Sequence, residues 1–130
     1  MVQSINTKSD LVVKGTSHLG LTDYGQIMVG DKGFEFFADK NLKNFIQIPW
    51  EELDTVIVSV MFNGRWIPRF ALRTKRNGTY SFSARDPKAV LRAIRIYIGP
   101  EKIVKSLTFF QVLGRGIKNL FRFGRKNKKI

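Results

Sequence analysis

The sequence predicts a mainly β fold: seven short strands, one closing helix, and a basic C-terminal helical tail. Three observations lead there. Residues 10–85 break into short runs of alternating apolar and polar side chains, separated by Gly, Asp and Asn turns, the pattern of half-buried strands. Residues 86–99 switch to helical spacing between an Asp-Pro start and a Gly-Pro stop. Residues 100–130 interleave large apolar side chains with positive charge.

The strands are expected at 10–17, 26–29, 34–38, 44–48, 54–62, 66–75 and 79–85. Leu11 and Val13 share one face of the first. Gly30-Asp31-Lys32-Gly33 closes the second, and Pro49 to Leu53 forms a corner with room for one helical turn. On the sixth, Trp66, Pro68, Phe70, Leu72 and Thr74 fall on an inward face, while Arg65, Arg69, Arg73 and Lys75 form a basic row on the other. Tyr80, Phe82 and Ala84 face inward on the seventh.

Face matching sets the expected hairpins. A three-residue loop at Arg76-Asn77-Gly78 pairs Lys75 with Thr79 and Thr74 with Tyr80. A loop at Phe62-Asn63-Gly64 sets Val60 opposite Trp66. Pro68 has no amide donor, so its strand is expected at an edge or a bulge. In the helix, Asp86 caps and Pro87 takes the first position. Val90, Leu91, Ile94, Tyr97 and Ile98 form the apolar face, with Lys88, Arg92 and Arg95 opposite. Seven strands and a capping helix, in that order, match the pleckstrin-homology-like barrel or sandwich. The expected division is a domain over 1–99 and an amphipathic extension over 100–130.

Composition excludes several functions. At 130 residues, 43% hydrophobic and 25% charged, the chain is one globular domain rather than a disordered one. With no cysteine and one histidine, thiolate chemistry is impossible and a His-based metal site unexpected. No apolar run approaches the roughly 20 residues that span a bilayer, and the first ten residues lack a signal-peptide core. There is no phosphate-binding Gly-x4-Gly-Lys-Ser/Thr. Glu51, Glu52 and Asp54 read as turn residues, Trp50 and Trp66 as corner and core residues, and Gly114-Arg115-Gly116 as a hinge. No catalytic residue, metal or cofactor is expected, His18 included.

Charge is the informative quantity. The chain carries 23 basic and 10 acidic residues, a net of +13. Residues 101–130 hold nine of the basic residues and one acid. Ile103, Val104, Leu107, Phe110, Val112 and Leu113 give a first apolar-periodic stretch. Ile117, Leu120, Phe121 and Phe123 follow, interleaved with Lys118, Arg122, Arg125 and Lys126 and ending in Lys128 and Lys129. Basic residues with aromatics on one side suit an anionic membrane surface or a groove on a partner protein. Phe109 and Phe110 join this contact set. The bland reading packs 107–113 on the domain and leaves 124–130 solvated. The row Arg65, Arg69, Arg73 and Lys75 is a candidate phosphate-gripping patch or a solvated strand face.

The blocks GDKGFEFF (30–37), NFIQIPWEEL (44–53), SVMFNGRWIPRFALRTK (59–75) and SLTFFQVL (106–113) resemble the small ManO-type family. That family is encoded beside mannose-class sugar phosphotransferase systems of Gram-positive bacteria and bears a domain-of-unknown-function label. The resemblance spans roughly residues 3–120, with IPWEEL and RWIPRFA its most specific parts. It implies a non-enzymatic accessory or regulatory protein, cytoplasmic and peripheral to the inner face of the plasma membrane. Its implied partners are the membrane subunits of the transporter. Basic loops on that side would repel this chain, whereas anionic lipid would attract it. Nucleic acid is the rival partner, since +13 permits it.

Overall fold

The computed structural model describes residues 3–18, 22–41, 43–62 and 64–106. Eight strands and one helix occur among them: β1 (Ser9–Ser17), β2 (Asp23–Gly30), β3 (Gly33–Ala38), β4 (Phe45–Pro49), β5 (Leu53–Met61), β6 (Trp66–Thr74), β7 (Thr79–Ala84), α1 (Pro87–Ile98) and β8 (Ile103–Lys105). The strands form one open mixed sheet in the order β4-β3-β2-β1-β7-β6-β5-β8. Every pairing is antiparallel except β5 with β8.

The sheet folds over on itself. Phe34 on β3 and Phe70 on β6 stand four strand steps apart in that order, about 19 Å on a flat sheet. Their ring centroids are 6.3 Å apart, and Phe34 lies 4.9 Å from Phe82 on β7. The bend falls where β1 passes from β2 to β7. Gly15, Thr16 and Ser17 alone pair with β7, whereas β1 runs beside β2 along its whole length. Gly25 permits the close packing of β2 on β3, because a Cβ there would lie 2.1 Å from the Phe37 carbonyl oxygen. The product is a pleckstrin-homology-like sandwich.

The helix closes the core. Val90, Leu91, Ala93 and Ile94 are buried against the sheet. Asp86 accepts from the Ala89 amide at 3.2 Å, and Gly99, at φ 87°, ends the helix. The corner Trp50–Glu52 is one 3-10 turn. Trp50 stacks on Tyr97 at 5.2 Å and donates Nε1–H to the Gly30 carbonyl at 3.0 Å, tying helix, corner and sheet together. Tyr97 donates its hydroxyl to Asp10, which with burial pushes the phenol up to about 12.

The N-terminal segment is held by side chains. Glu35 is fully buried. Its carboxylate accepts from Ser4 Oγ, the Ile5 amide (3.0 Å), Asn6 Nδ2 (2.8 Å) and Gln47 Nε2 (2.8 Å). Asn6 Oδ1 accepts from the amides of Lys32 and Gly33, closing the β2–β3 turn. Asp31 accepts from the Thr7 hydroxyl and from the amides of Lys8 and Thr7, and these, the hydroxyl foremost, hold its carboxyl down at about 2 against an opposing desolvation.

Of the two places expected for Pro68, an edge or a bulge, it takes the bulge: β6 is internal and the register shifts between Ser59 and Met61. Three expectations need correcting. Residues 103–105 are a strand, not the start of a helix, so the sheet takes its last strand from beyond residue 99. The Pro68 bulge sets Met61, not Val60, opposite Trp66 and turns Trp66 outward. Finally, Arg73 rather than Lys75 pairs with Thr79. The last slip is two residues, so every side chain keeps its face. Thr74 decides it: its Oγ1 donates to the Gly78 carbonyl (2.7 Å) and accepts from the Asn77 amide (3.0 Å).

Two substitutions test this account. Phe82→Ala removes the ring shared by β3 and β6 and is expected to cost about 3–5 kcal/mol in urea unfolding. Glu35→Ala strands several donors and is expected to cost roughly 2–5 kcal/mol, with faster hydrogen exchange at the Ile5 amide.

Candidate partner-binding surface

Charge is divided between the two halves of the sandwich. Residues 1–54, through β4 and its corner, hold eight acidic and five basic residues. Residues 55–100, through β5 to α1, hold one acidic and nine basic residues. Between Asp54 and Asp86 there is no acid at all, but there are six basic residues. The domain is therefore bipolar, with its positive lobe built on β5, β6, β7 and α1.

The basic row is less continuous than alternation suggests. Arg69 and Arg73 share the outer face of β6, across from Ser59 and Thr55 of β5. Between them Ala71 is fully buried beside Ile57, 3% exposed. Arg65 and Lys75 lie in the turns at either end of β6. Arg73, Arg65 and Lys75 are exposed, while Arg69 is half-buried. No acidic side chain among the described residues pairs with any of the four. The ion pairs there are Arg76–Glu52 (3.6 Å) and Lys8–Asp10 (3.8 Å).

Beside Arg69 sits His18. Ser83 Oγ donates to the Pro68 carbonyl (2.9 Å), so its contact with His18 Nε2 (2.9 Å) is one in which the imidazole donates. Burial, and then the Arg69 charge, lowers the His18 pKa below its usual 6.5. The imidazole is neutral at neutral pH and adds nothing to the positive field.

The β5–β6 hairpin supplies a surface that the sequence reading passed over. Phe62 (66% exposed) and Trp66 (50%) stack at 5.9 Å with ring planes 20° apart, and Met61 (38%) adjoins them. The Gly64 amide bonds the Met61 carbonyl (3.2 Å) and the Arg65 amide bonds the Phe62 carbonyl (3.1 Å). Pro68 was the available signal, because the bulge it forces reverses the facing of Trp66.

The tail contact residues Phe109, Phe110, Ile117, Lys118, Leu120, Phe121, Arg122, Phe123, Arg125, Lys126, Lys128 and Lys129 lie outside the described residues, as does Gly114-Arg115-Gly116. Their point of departure is defined. β8 runs parallel to β5, and the Ser106 amide bonds the Val58 carbonyl (3.0 Å). β8 thus points toward Met61 and the hairpin tip, three residues beyond Val58 along β5.

Among the described residues no group of three or more His, Asp or Glu is placed to hold a metal ion. Nor is any helix there long and apolar enough to cross a membrane. The Glu52 carboxylate pairs with Arg76, and its backbone carbonyl accepts from the Lys75 amide (2.9 Å). A cleft of about 330 Å³ opens beside Asp23, Phe36, Lys43 and Phe45, with Asn44 donating to Asp23 at its rim.

Residues 1–117 match the family described as "Domain of unknown function (DUF956)". No curated protein matches the chain. Among solved structures, the C-terminal domain of an unknown protein from Leishmania infantum is similar at TM-score 0.60 and 10% identity, over 70% of this chain and 84% of that one. A chain in the structure of the Spt16D Pob3N heterodimer is similar at TM-score 0.51 and 7% identity, over 77% of this chain and 58% of that one. At such identities the likeness is one of fold.

The His18 environment makes a prediction. Arg69→Gln removes the second cause of the lowered pKa, so the imidazole midpoint, followed by NMR, is expected to rise yet stay below 6.5 because burial remains. The folded chain binds this proton more weakly than the unfolded chain does. His18 therefore contributes stability that is complete above pH 6.5 and is lost as pH falls below it.

Proposed function

This chain belongs to the DUF956 family, a domain of unknown function. We propose that it is a non-enzymatic docking module acting at the anionic inner face of the plasma membrane. There it serves as an accessory or regulatory subunit of a mannose-class phosphotransferase transporter. The observation that carries the docking reading is the charge division. A negative lobe, a positive lobe and an equally positive C-terminal segment give the molecule one side that an anionic surface attracts.

The magnitudes suit reversible attachment. Each Lys or Arg near an anionic leaflet contributes about 1 kcal/mol. Four of the last six residues are basic, enough for weak binding without a spanning helix. The choice of transporter rests on the ManO-type resemblance of the IPWEEL and RWIPRFA blocks. On this reading, lipid meets the basic segment and the membrane subunits meet the domain.

The test is recovery with native membranes. Replacing Arg125, Lys126, Lys128 and Lys129 with Gln is expected to lower recovery at least about tenfold while leaving the circular dichroism of the domain unchanged. Mild solubilisation and mass spectrometry should then identify transporter membrane subunits with the unmodified chain. Equal recovery of both chains would overturn the electrostatic attachment. Salt-sensitive, sequence-preferring capture of nucleic acid, without those subunits, would move the protein to the operon or its transcript.

A further inference from the structure

The β5–β6 hairpin tip is the least economical part of the described surface. Phe62 adopts φ 53°, a left-handed conformation that is an outlier for a bulky side chain and costs about 1–3 kcal/mol. The strain yields no burial, since the ring is 66% exposed. Trp66 lies flat against it and Met61 extends the patch. Arg65 stands between the two rings in sequence, and its side chain is exposed.

We propose that Met61, Phe62 and Trp66, flanked by Arg65, form an interfacial anchor that enters the headgroup layer of an anionic lipid bilayer. Trp with neighbouring apolar rings is the composition favoured at that depth, and Arg matches the lipid charge. The tip lies in the acid-free stretch between Asp54 and Asp86, so the same field that draws the domain down presents the tip first. β8 runs toward the same end of β5, as far as Ser106. A nucleic-acid platform is disfavoured by geometry: stacked bases need a cationic groove, and this is a tip with one adjacent charge.

The inference rests on the membrane reading above, and the experiment separates the two. The full chain is mixed with phosphatidylserine–phosphatidylcholine vesicles whose acyl chains are brominated. Trp66 emission is expected to be quenched, and Trp66→Phe to abolish the quenching, because Trp50 is stacked on Tyr97 and bonded to Gly30. The pair Phe62→Gly and Trp66→Ser is expected to weaken cosedimentation by about tenfold, equivalent to about 1.4 kcal/mol. Phe62→Gly alone should be no less stable than the unmodified chain, since Gly accepts positive φ without strain. Stability kept while binding falls marks a binding role rather than a structural one.

Cosedimentation without quenching, or undiminished in the double variant, would overturn the anchor and leave the membrane reading intact. No cosedimentation of the unmodified chain would overturn both. Equal binding to pure phosphatidylcholine would overturn the requirement for anionic lipid. Loss of oligonucleotide binding in the double variant, with vesicle binding unchanged, would assign the tip to nucleic acid.

Discussion

Everything in this fold depends on a sheet being drawn over its own face by aromatic rings. Phe34, Phe36, Phe70 and Phe82 come from β3, β6 and β7 and meet in one cluster. An open sheet cannot bury such rings on one side without a second layer. Here the second layer is the other half of the same sheet, and α1 closes the remaining gap. The bend at Gly15 to Ser17 of β1 is the geometric cost of that arrangement. It also separates an acidic half from a basic half, so the same turn of the chain that makes the core divides the charge.

The candidate surface follows from how the basic half ends. β8 is three residues long and parallel, which turns the chain back along β5 rather than away from the sheet. The hairpin tip lies ahead of it. An electrostatic feature, an aromatic feature and the direction of β8 thus converge on one end of one strand. None of them alone would distinguish a docking surface from ordinary solvated protein, in which scattered exposed apolar residues are normal.

Much of this was legible in the sequence. The seven main strands, the 3-10 corner and the Asp86-capped helix follow from period, turn chemistry and caps. What failed did so for local reasons. A two-residue slip at β6–β7 preserves facing, so alternation had no power against it, and the Thr74 hydroxyl decided the register. Ile103 to Lys105 carry apolar residues that fit helix or strand equally, and only pairing with β5 resolves them. Alternation carried through Pro68 points Trp66 inward, and the bulge there reverses it. Of the basic row, exposure at Arg65, Arg73 and Lys75 agrees with the reading, but the buried Ile57–Ala71 spot interrupts it. Such burial depends on what lies above a sheet face, which period-two patterning does not encode. The IPWEEL block carries structure more than chemistry: its Trp50 joins helix to sheet.

Glu35 has a consequence for how such a sequence can drift. Its carboxylate is satisfied by groups from residues 4, 5, 6 and 47, and by no cation among the described residues. Each oxygen accepts two of these bonds, so a change at Ser4, Asn6 or Gln47 leaves it one, whereas loss of Glu35 strands all the donors at once. The site thus tolerates change at its donors one at a time, while an apolar residue at position 35 leaves the N-terminal segment without its tether.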